Sequence, residues 1–320
     1  MMQIRNLRIL GSNALVGDSK SPTKDRSVYS ALLKVASFLF VIISGLFLWA
    51  LISGSWKIWT SQPLTLLTGS TWSGKYGGLP MILGTLQTSF IALFIAVVLG
   101  LGTAITIVFL IPRRLKVIAG TFIELLAGIP SIIYGVWGSI VLAPWMLAHF
   151  YPWINSLGIY AFGDSTTLVG PSIFLASVVL AIMILPIFVS ISRDVIASVP
   201  QDLIEASLSL GATKWQMITK TVLPSVKIGI AGAAFLALAR ATGETVAVAL
   251  TIGGIAHIEW KLFLPATTIA SFIASTFGES SSADIQGLLA LGVVLMFISF
   301  SVSLLSRVLI SRQRKALGRV

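Results

Sequence analysis

The chain has 320 residues, of which 56% are hydrophobic and 10% are charged, and its mean hydropathy is +0.97. Soluble domains carry about 25% charged residues, so this composition excludes a soluble globular protein and predicts an integral membrane protein. The net charge of +11 comes from basic residues at the ends of apolar segments, which indicates membrane topology and lipid contact rather than nucleic-acid binding. The absence of cysteine excludes disulfides and thiolate chemistry.

Six apolar segments are long enough to cross a bilayer as helices, which takes about 20 residues each. They are residues 31–52, 84–111, 117–145, 170–191, 222–253 and 285–308. We therefore predict an all-α membrane protein with about six transmembrane helices. Residues 1–30 form a polar leader that we expect to be partly disordered, residues 31–310 form the transmembrane domain, and residues 311–320 form a basic tail.

The distribution of basic residues predicts the orientation in the membrane. Sixteen of the 22 Lys and Arg residues lie in the leader, the tail and two loops that would share one side, whereas the loops on the other side hold three. The positive-inside rule makes the richer side cytoplasmic. Both termini are therefore predicted to be cytoplasmic, and the first span is expected to remain as an uncleaved anchor.

Two apolar segments could change the number of spans. Residues 117–145 are long and contain Pro130, and residues 262–276 are short and contain Pro265. Splitting the first segment, or counting the second as a span, would place the basic tail outside the cell. We therefore interpret residues 117–145 as one kinked span and residues 262–276 as a re-entrant or interfacial segment on the outer side.

The first outer loop contains GSTWSGKY, residues 69–76, which differs by one residue from the Walker A pattern of nucleotide-binding proteins. Tyr76 stands where the pattern requires Ser or Thr, and Gly-Gly-Leu-Pro follows, so no helix begins at Lys75. The loop is also predicted to face the outside, where ATP is absent. We expect no cofactor on this chain, and we expect Trp56, Trp59 and Trp72 to be interfacial anchors.

The longest internal cytoplasmic loop, residues 193–224, has the pattern of two short helices. Pro200 suits the start of the first helix and Gly211 suits its end. Thr213 can cap the second helix, which we expect to end at Pro224. A short amphipathic helix between two spans could simply lie on the lipid surface, but that explanation does not account for the ordered motif within it.

This motif resembles the EAA loop of ABC importer permeases, E-A-A-x3-G-x9-I-x-L-P. The matching residues are Glu205, Ala206, Ser207, Gly211, Leu223 and Pro224. Two positions differ from the pattern, because Ser207 replaces the second alanine and Thr221 replaces the isoleucine. The resemblance implies that the loop docks on a separate cytoplasmic ATPase subunit. ATP and magnesium would then bind to that partner, and this chain would be a transport subunit rather than an enzyme.

Arg240 and Glu244 are ionisable residues within the fifth predicted span, where a central charge costs about 2.5–3.5 kcal/mol on insertion scales. They lie one helical turn apart, so a structural ion pair is one interpretation. In the other, this face lines a translocation pathway, where Arg240 would bind an oxyanion and Thr242 and Thr245 would add hydroxyls. Glu244 would accept a hydrogen bond from protonated phosphate, which sulfate cannot donate at neutral pH.

The segment RATGETVAV, residues 240–248, resembles the R-A-x-G-E-T-x-A-V segment of phosphate ABC importer permeases of the PstC type. The sister permease PstA usually has G-E-T-A-P instead. LLAGIPSIIYGVWG, residues 125–138, and PATTIASFIAS, residues 265–275, resemble two further segments of these permeases. The resemblance implies a MetI-like fold, a multi-pass location in the bacterial inner membrane and phosphate as substrate. It also implies that Arg240 and Glu244 are the functional pair of the family.

Glu124 lies several residues into the predicted third span, before Pro130. One interpretation is a carboxylate near the inner interface that accepts hydrogen bonds from backbone exposed at the kink. The alternative is a second pathway residue that acts as a gate. The sequence leaves both interpretations open.

The resemblance also implies the partners of the chain: a PstA-like sister permease, two PstB-like ATPase subunits and a PstS-like extracytoplasmic binding protein. Membrane lipids would surround it, and no nucleic acid is expected. The alternatives are a PstA-type permease, a permease for sulfate or molybdate, an ion-driven secondary transporter or a membrane enzyme. No repeat of the fifth-span motif supports a secondary transporter. His149 and His257 lie in no catalytic or metal-binding pattern, so we expect neither an enzyme nor a metal site.

Overall fold

The structure is a computed structural model that describes residues 23–72, 76–158 and 170–316. The prediction of a partly disordered leader therefore lies mostly outside the described residues, although helix begins at Thr23 rather than after residue 30. The chain divides into two compact units, residues 1–50 and residues 51–320. In the first unit, the apolar side chains of the described helix are largely exposed, as expected for a surface in contact with lipid.

The described residues are almost entirely helical and contain no β-strand beyond one isolated bridge between Gly253 and Ala266. In the first half of the chain the helices are α1 (Thr23–Ser61), α2 (Pro63–Thr68), α3 (Leu79–Ile105), α4 (Arg113–Ala127), α5 (Ser131–Trp137), α6 (Ala143–Trp145) and α7 (Tyr151–Ser156). In the second half they are α8 (Ile173–Ala197), α9 (Gln201–Ser209), α10 (Lys214–Gln216), α11 (Leu223–Thr242), α12 (Val246–Thr251), α13 (Ile269–Thr276) and α14 (Ser282–Ala316).

Within the described part of the chain, six helical stretches are long and apolar enough to cross a membrane. They are Tyr29–Ser61, Leu79–Leu110, Ser131–Ser156, Ile173–Ala197, Lys214–Thr242 and Ser282–Leu305. The predicted all-α fold and the number of spans are confirmed. Several of these stretches combine α-helices with π turns, at Thr106–Leu110, Gly138–Leu142, Met146–Phe150 and Met217–Val222.

The prediction of one kinked span over residues 117–145 is wrong. Helix α4 ends at Ala127, Pro130 has an extended backbone with ψ of 138°, and a new helix starts at Ser131. The physical reason is that a proline disfavours helical backbone at the preceding residue and cannot donate a hydrogen bond into the turn before it. The span therefore runs from Ser131 to Ser156, and α4, with 15 residues, is a separate shorter helix.

The loop over residues 193–224 is shorter than predicted, and its second helix does not end at Pro224. Helix α8 continues to Ala197, and the stretch from Lys214 to Thr242 is helical throughout. The π turn Met217–Val222 directly precedes Pro224. Because a π turn changes the pairing of backbone groups, the proline nitrogen, which lacks a hydrogen, fits at the start of α11 without ending the helix.

Helix α8 is the centre of the bundle, and it packs against α3, α4 and α11. A buried cluster of mostly small side chains joins α3, α8 and α11 and includes Ala92, Ala96, Ala176 and Ala237. Small residues at helix interfaces allow the backbones to approach closely in a membrane. A second cluster, which contains Ile105, Val199 and Met217, lies at the end of the bundle that carries α9.

The opposite end of the bundle is closed by the chain between α12 and α14. Ala266 N–H donates to the Ile252 carbonyl at 3.0 Å, and Ile173 N–H, at the start of α8, donates to the Leu264 carbonyl at 3.1 Å. Helix α13 has eight residues and is not one of the six spans, which agrees with the interpretation that residues 262–276 do not cross the membrane. Ile269 N–H donates to Thr85 Oγ1 at 2.9 Å and so attaches α13 to α3.

The loop before α3 packs at this same end. Trp72 makes edge contacts with the rings of Tyr76 and Phe272, and Trp59 packs against the same buried cluster. Of the three predicted interfacial tryptophans, Trp56 is exposed, while the other two are half-buried. Partial burial raises the pKa of the Tyr76 hydroxyl above its ordinary value, and the nearby Asp284 carboxylate adds to this shift.

The contact between α3 and the segment before α13 leaves no room for a side chain at Gly84. An added Cβ there would lie 2.0 Å from the Thr267 carbonyl oxygen, which is backbone and cannot rotate away. We expect Gly84→Ala to lower the free energy of unfolding by about 1–3 kcal/mol, the usual cost of overpacking. Thermal unfolding of the purified chain in detergent measures the change.

Gly102→Ala is the matched control, because Gly102 is also on α3 and no described atom lies within 4 Å of its added Cβ. We expect this variant to be as stable as the wild type or slightly more stable, since alanine favours helix. Equal unfolding temperatures for the two variants would contradict the close contact at Gly84.

Candidate functional site

The fifth span is broken at the motif that the sequence analysis identified. Helix α11 ends at Thr242, and α12 begins at Val246, so the predicted continuous span over residues 222–253 is wrong. Gly243 has a low helix propensity, and the Glu244 N–H donates to the Ala241 carbonyl at 3.3 Å, three residues back rather than four. Non-helical backbone inside a membrane protein is tolerated where it is buried in protein or lines a water-filled cavity.

Arg240 and Glu244 form an ion pair across this break. Arg240 Nη1 lies 3.3 Å from Glu244 Oε2. The two side chains differ in burial, because the Arg240 side chain is 48% exposed and the Glu244 side chain is 5% exposed. A buried carboxylate needs a compensating charge, and the Arg240 guanidinium supplies it.

The guanidinium of Arg240 keeps most of its hydrogen-bonding capacity. It carries five N–H donors, and among the described residues Glu244 is its one charged partner. Gly243 next to it is exposed, and an added Cβ there would meet only the Ala239 carbonyl oxygen, at 3.9 Å. The pair is therefore accessible from the side of Arg240, where a planar guanidinium can bind an oxyanion through two parallel hydrogen bonds.

The two threonines of the motif have different surroundings. Thr242 is buried, and its hydroxyl donates to the Ala239 carbonyl at 3.1 Å and lies 3.5 Å from the Ser299 hydroxyl on α14. Thr245 is half-buried, and its hydroxyl lies 3.4 Å from the Gly243 carbonyl. The structure thus directs Thr242 towards α14 and leaves Thr245 close to the break.

Glu124 does not lie in a span. It is on α4 and lines a cavity of about 460 Å³ between α4 and α8, together with Lys116, Arg193 and Asp194. Neither Arg240 nor Glu244 lines this cavity. No described residue donates a hydrogen bond to the Glu124 carboxylate, so the interpretation that it binds exposed backbone at the kink finds no support. Glu124 lies outside the third span because the helix break at Pro130 separates α4 from that span.

Arg193 is a structural residue of this region that the sequence analysis assigned only to a loop. Its guanidinium occupies the space beside Gly120, where an added Cβ would lie 2.7 Å from Nη1, and its Nε is 3.1 Å from the Asp194 carboxylate. Lys116 Nζ donates to the Val108 carbonyl, which holds α4 against the end of α3. The spacing of these residues along the chain gives no signal for the contacts, because they depend on how α4 packs.

The EAA loop forms the helix and turn that its motif predicts. Glu205, Ala206 and Ser207 lie on α9, and Gly211 ends this segment with a left-handed φ of +82°. Thr213 caps the next helix through a reciprocal pair of hydrogen bonds with Gln216, at 3.2 and 2.9 Å. A residue with a Cβ is strained at positive φ, so the glycine is required for the turn.

The surface that this loop turns away from the bundle carries exposed apolar side chains. Its exposed large side chains are Leu203, Leu208, Leu210 and Trp215, and Leu210 is 90% exposed. Glu205 and Ala206 are also exposed on α9, whereas Leu223 is half-buried near the cluster that contains Val199 and Met217. Exposed apolar side chains that surround a short helix outside the bundle are typical of a protein-docking surface.

The sequence of this chain matches known transport proteins. The sequence profile of the family described as "Binding-protein-dependent transport system inner membrane component" matches residues 96–315. The chain belongs to this family. Its similarity therefore covers the broken fifth span, the EAA loop and the last span together.

Two relatives are each similar to this chain over most of its length and most of their own. The "Phosphate transport system permease protein PstC" of Pasteurella multocida is 40% identical over 291 residues, which cover 89% of this chain and 91% of that protein. The protein of the same name from Mesorhizobium japonicum is 39% identical and covers 89% and 90% of the two chains.

A solved structure confirms the MetI-like fold of the family in this chain. The structure of inward-facing conformations of the MetNI methionine ABC transporter aligns with a TM-score of 0.51 and covers 72% of this chain and 94% of the other. The sequence identity is 20%, so this similarity concerns the fold alone. Among the described residues, no group of three His, Cys, Asp or Glu side chains could hold a metal ion.

The ion pair predicts a stability effect that depends on which charge is removed. We expect Arg240→Met to lower the free energy of unfolding by about 2 kcal/mol, because it leaves the buried Glu244 carboxylate without its cation. Adding Glu244→Gln to that variant should recover most of the loss, since the remaining side chain is neutral. Thermal unfolding in detergent gives the comparison.

Lys227→Met is the control for this experiment, since it removes an exposed cation from the same helix and no described residue forms an ion pair with it. We expect it to have a small effect. A double variant that is no more stable than Arg240→Met alone would show that the buried carboxylate does not depend on Arg240.

Proposed function

We propose that this chain is a membrane-spanning permease subunit of an ATP-driven ABC importer for inorganic phosphate. The observation that carries the proposal is the 40% identity, over 89% of the chain, with a permease protein of a phosphate transport system. The broken fifth span adds support, because it provides a guanidinium and a carboxylate where a polar pathway through an apolar bundle needs them. This chain would form one half of the pathway and a PstA-like sister permease the other half.

The geometry of the ion pair supports a specific role in anion passage. The guanidinium of Arg240 would bind phosphate oxygens, and Thr245 would add a hydroxyl beside the helix break. The contact with Arg240 Nη1 uses Oε2 of Glu244, so Oε1 would be the atom that accepts a hydrogen bond from a protonated phosphate oxygen. Sulfate has no such proton at neutral pH and would meet only the negative charge, which favours phosphate over sulfate. Thr242 would act indirectly, by holding α11 against α14.

The proposed partner at α9 is a cytoplasmic ATPase subunit, which would carry ATP and magnesium. The exposed apolar surface around α9 and the EAA motif support this assignment. Two such ATPase subunits would serve the two permeases, and their closure on ATP would move both EAA loops. Because transport requires different contacts in the two states, this chain need not bind phosphate tightly.

The charge distribution supports an orientation with α9 and both termini in the cytoplasm of a bacterial inner membrane. The segment around α13 would then face outwards, where a PstS-like binding protein would deliver phosphate. Glu124 would lie near the cytoplasmic side, apart from the Arg240–Glu244 pair, and it would contribute to the structure around Arg193 rather than to the central pathway.

Replacing each of the two charged residues of the proposed pathway tests the substrate assignment. The measurement is ATP-dependent uptake of labelled phosphate, with sulfate as competitor, into vesicles that contain the whole transporter. We expect Arg240→Lys to reduce uptake about tenfold or more, because lysine lacks the planar pair of donors. We expect Glu244→Gln to make phosphate uptake sensitive to sulfate, because the negative charge that disfavours sulfate is gone.

Lys227→Gln serves as the control in the same vesicles, and its uptake should match the wild type. If neither Arg240→Lys nor Glu244→Gln changed uptake or sulfate competition, the proposed pathway would be wrong. If the wild type took up sulfate in place of phosphate, the importer assignment would still hold, but phosphate as the substrate would be refuted.

Removing one exposed leucine tests the docking of the ATPase. Leu210 is 90% exposed, so Leu210→Ser should leave the fold intact and weaken capture of the ATPase subunit by about fivefold or more. Co-purification of the two subunits in detergent measures the effect. Leu64→Ser is the matched control, because Leu64 is 74% exposed on α2, away from the EAA loop. Equal capture by the two variants would refute docking at this surface.

A further inference from the structure

Two hydroxyl groups connect the EAA loop to the fifth span. Thr221 Oγ1 donates a hydrogen bond to Ser207 Oγ across 3.1 Å, and the two residues are 14 positions apart in the chain. They are also the two positions at which this loop differs from the EAA pattern, where alanine and isoleucine would stand. The two differences are therefore in direct contact, and we refer to them as the hydroxyl pair.

The hydrogen bond of Thr221 differs from those of most helical threonines that the structure describes. Most of them donate to the backbone carbonyl four residues earlier in their own helix, as do Thr85, Thr103, Thr121, Thr219 and Thr251. Ser209 on α9 does the same with the Glu205 carbonyl. Such bonds stay within one helix, whereas the bond of Thr221 joins two elements.

Thr221 lies in the π turn Met217–Val222. A π turn holds more residues than an α-helical turn, so it changes the direction in which the side chains that follow point. The turn directly precedes α11, which carries Arg240 at its other end. Ser207 thus bonds to the base of the same helical stretch that bears the ion pair.

The hydroxyl pair lies at an open groove between α9 and the start of the fifth span. Both residues line a cavity of about 500 Å³, which Leu203, Leu210 and Lys220 also line. On the other side, Ile204 packs against the buried cluster that contains Val199 and Met217, so apolar contact holds α9 on the bundle. Apolar contact is not directional, whereas a hydrogen bond requires a particular distance and angle.

We propose that Ser207 and Thr221 are positioning residues that set the orientation of α9 relative to the fifth span. Through this bond, a movement of α9 is transmitted to α11 and so to the break at Arg240 and Glu244. The proposal rests on the proposed function, since an ATPase has to move α9. An apolar pair at these positions would also pack, but one hydroxyl without the other is an unpaired polar group in a half-buried position, which is unfavourable.

The test is a double-variant cycle in the complete transporter, reconstituted in vesicles. The quantity measured is the number of ATP molecules hydrolysed per phosphate transported. We expect Ser207→Ala and Thr221→Val each to raise this ratio about three- to fivefold, from the loss of one hydrogen bond. The double variant Ser207→Ala/Thr221→Val should return to within about twofold of the wild type, because both polar partners are then absent.

Two control variants change the same residue types in the same elements. Ser209→Ala on α9 and Thr219→Val in the π turn each remove a hydroxyl that bonds within its own helix, and both should leave the ratio unchanged. A purely structural role for the hydroxyl pair would reduce the amount of assembled transporter and lower both rates together, without a change in the ratio. Single variants that behave like the controls, or single effects that multiply in the double variant, would overturn the proposal.

The basal rate of ATP hydrolysis allows the hydroxyl pair to be tested even if phosphate is not the substrate. If the wild-type complex hydrolysed ATP but transported no phosphate, the proposed function would fail, and the cycle would be repeated with the basal rate of ATP hydrolysis. Single variants that change this rate, together with a double variant that restores it, would still support the hydroxyl pair. The proposal would be refuted if the effects of the two single substitutions multiplied in the double variant. It would also be refuted if the single variants had the same rates as Ser209→Ala and Thr219→Val.

Discussion

The close packing of α8 against α3 is the contact on which the rest of the bundle depends. Gly100 on α3 leaves room for the ring of Phe188 on α8, since an added Cβ would lie 2.6 Å from that ring. In the most apolar part of α8, 67% of the residues are buried, a larger share than in the other five spans that the structure describes. The start of α8 bonds to the chain before α13, and its end leads to α9. One helix therefore connects the two ends of the bundle.

The break in the fifth span and its ion pair are two parts of one arrangement. A continuous helix would satisfy its own backbone but would leave two charges on an apolar surface, which is costly in a membrane. Ending α11 at Thr242 lets the chain turn so that Glu244 is buried while Arg240 stays accessible. Thr242 and Ser299 attach α11 to α14 at the same level. The structure thus places the ion pair at a point where the backbone is already irregular.

Local signals in the sequence predicted some elements well and others poorly. Gly211 and Thr213 act where they were predicted, because a left-handed turn and a helix cap depend on neighbouring residues alone. The prolines show the limit of such signals. Pro130 was expected to kink a helix and instead separates two, whereas Pro224 was expected to end a helix and lies within a continuous one. A π turn, Met217–Val222, directly precedes Pro224, whereas no such turn precedes Pro130.

By itself, the sequence determined the membrane class, the number of spans and the family resemblance, and it singled out Arg240 and Glu244 as candidate site residues. These follow from composition, segment length and motifs, which are properties of contiguous residues. Only the tertiary structure decided that Glu124 lines a cavity between α4 and α8, that Thr242 turns towards α14 and that Ser207 meets Thr221. These contacts join residues that are distant in the chain. They depend on helix rotation and on the places where helices break, and hydrophobic periodicity does not specify either of these at the level of single side chains.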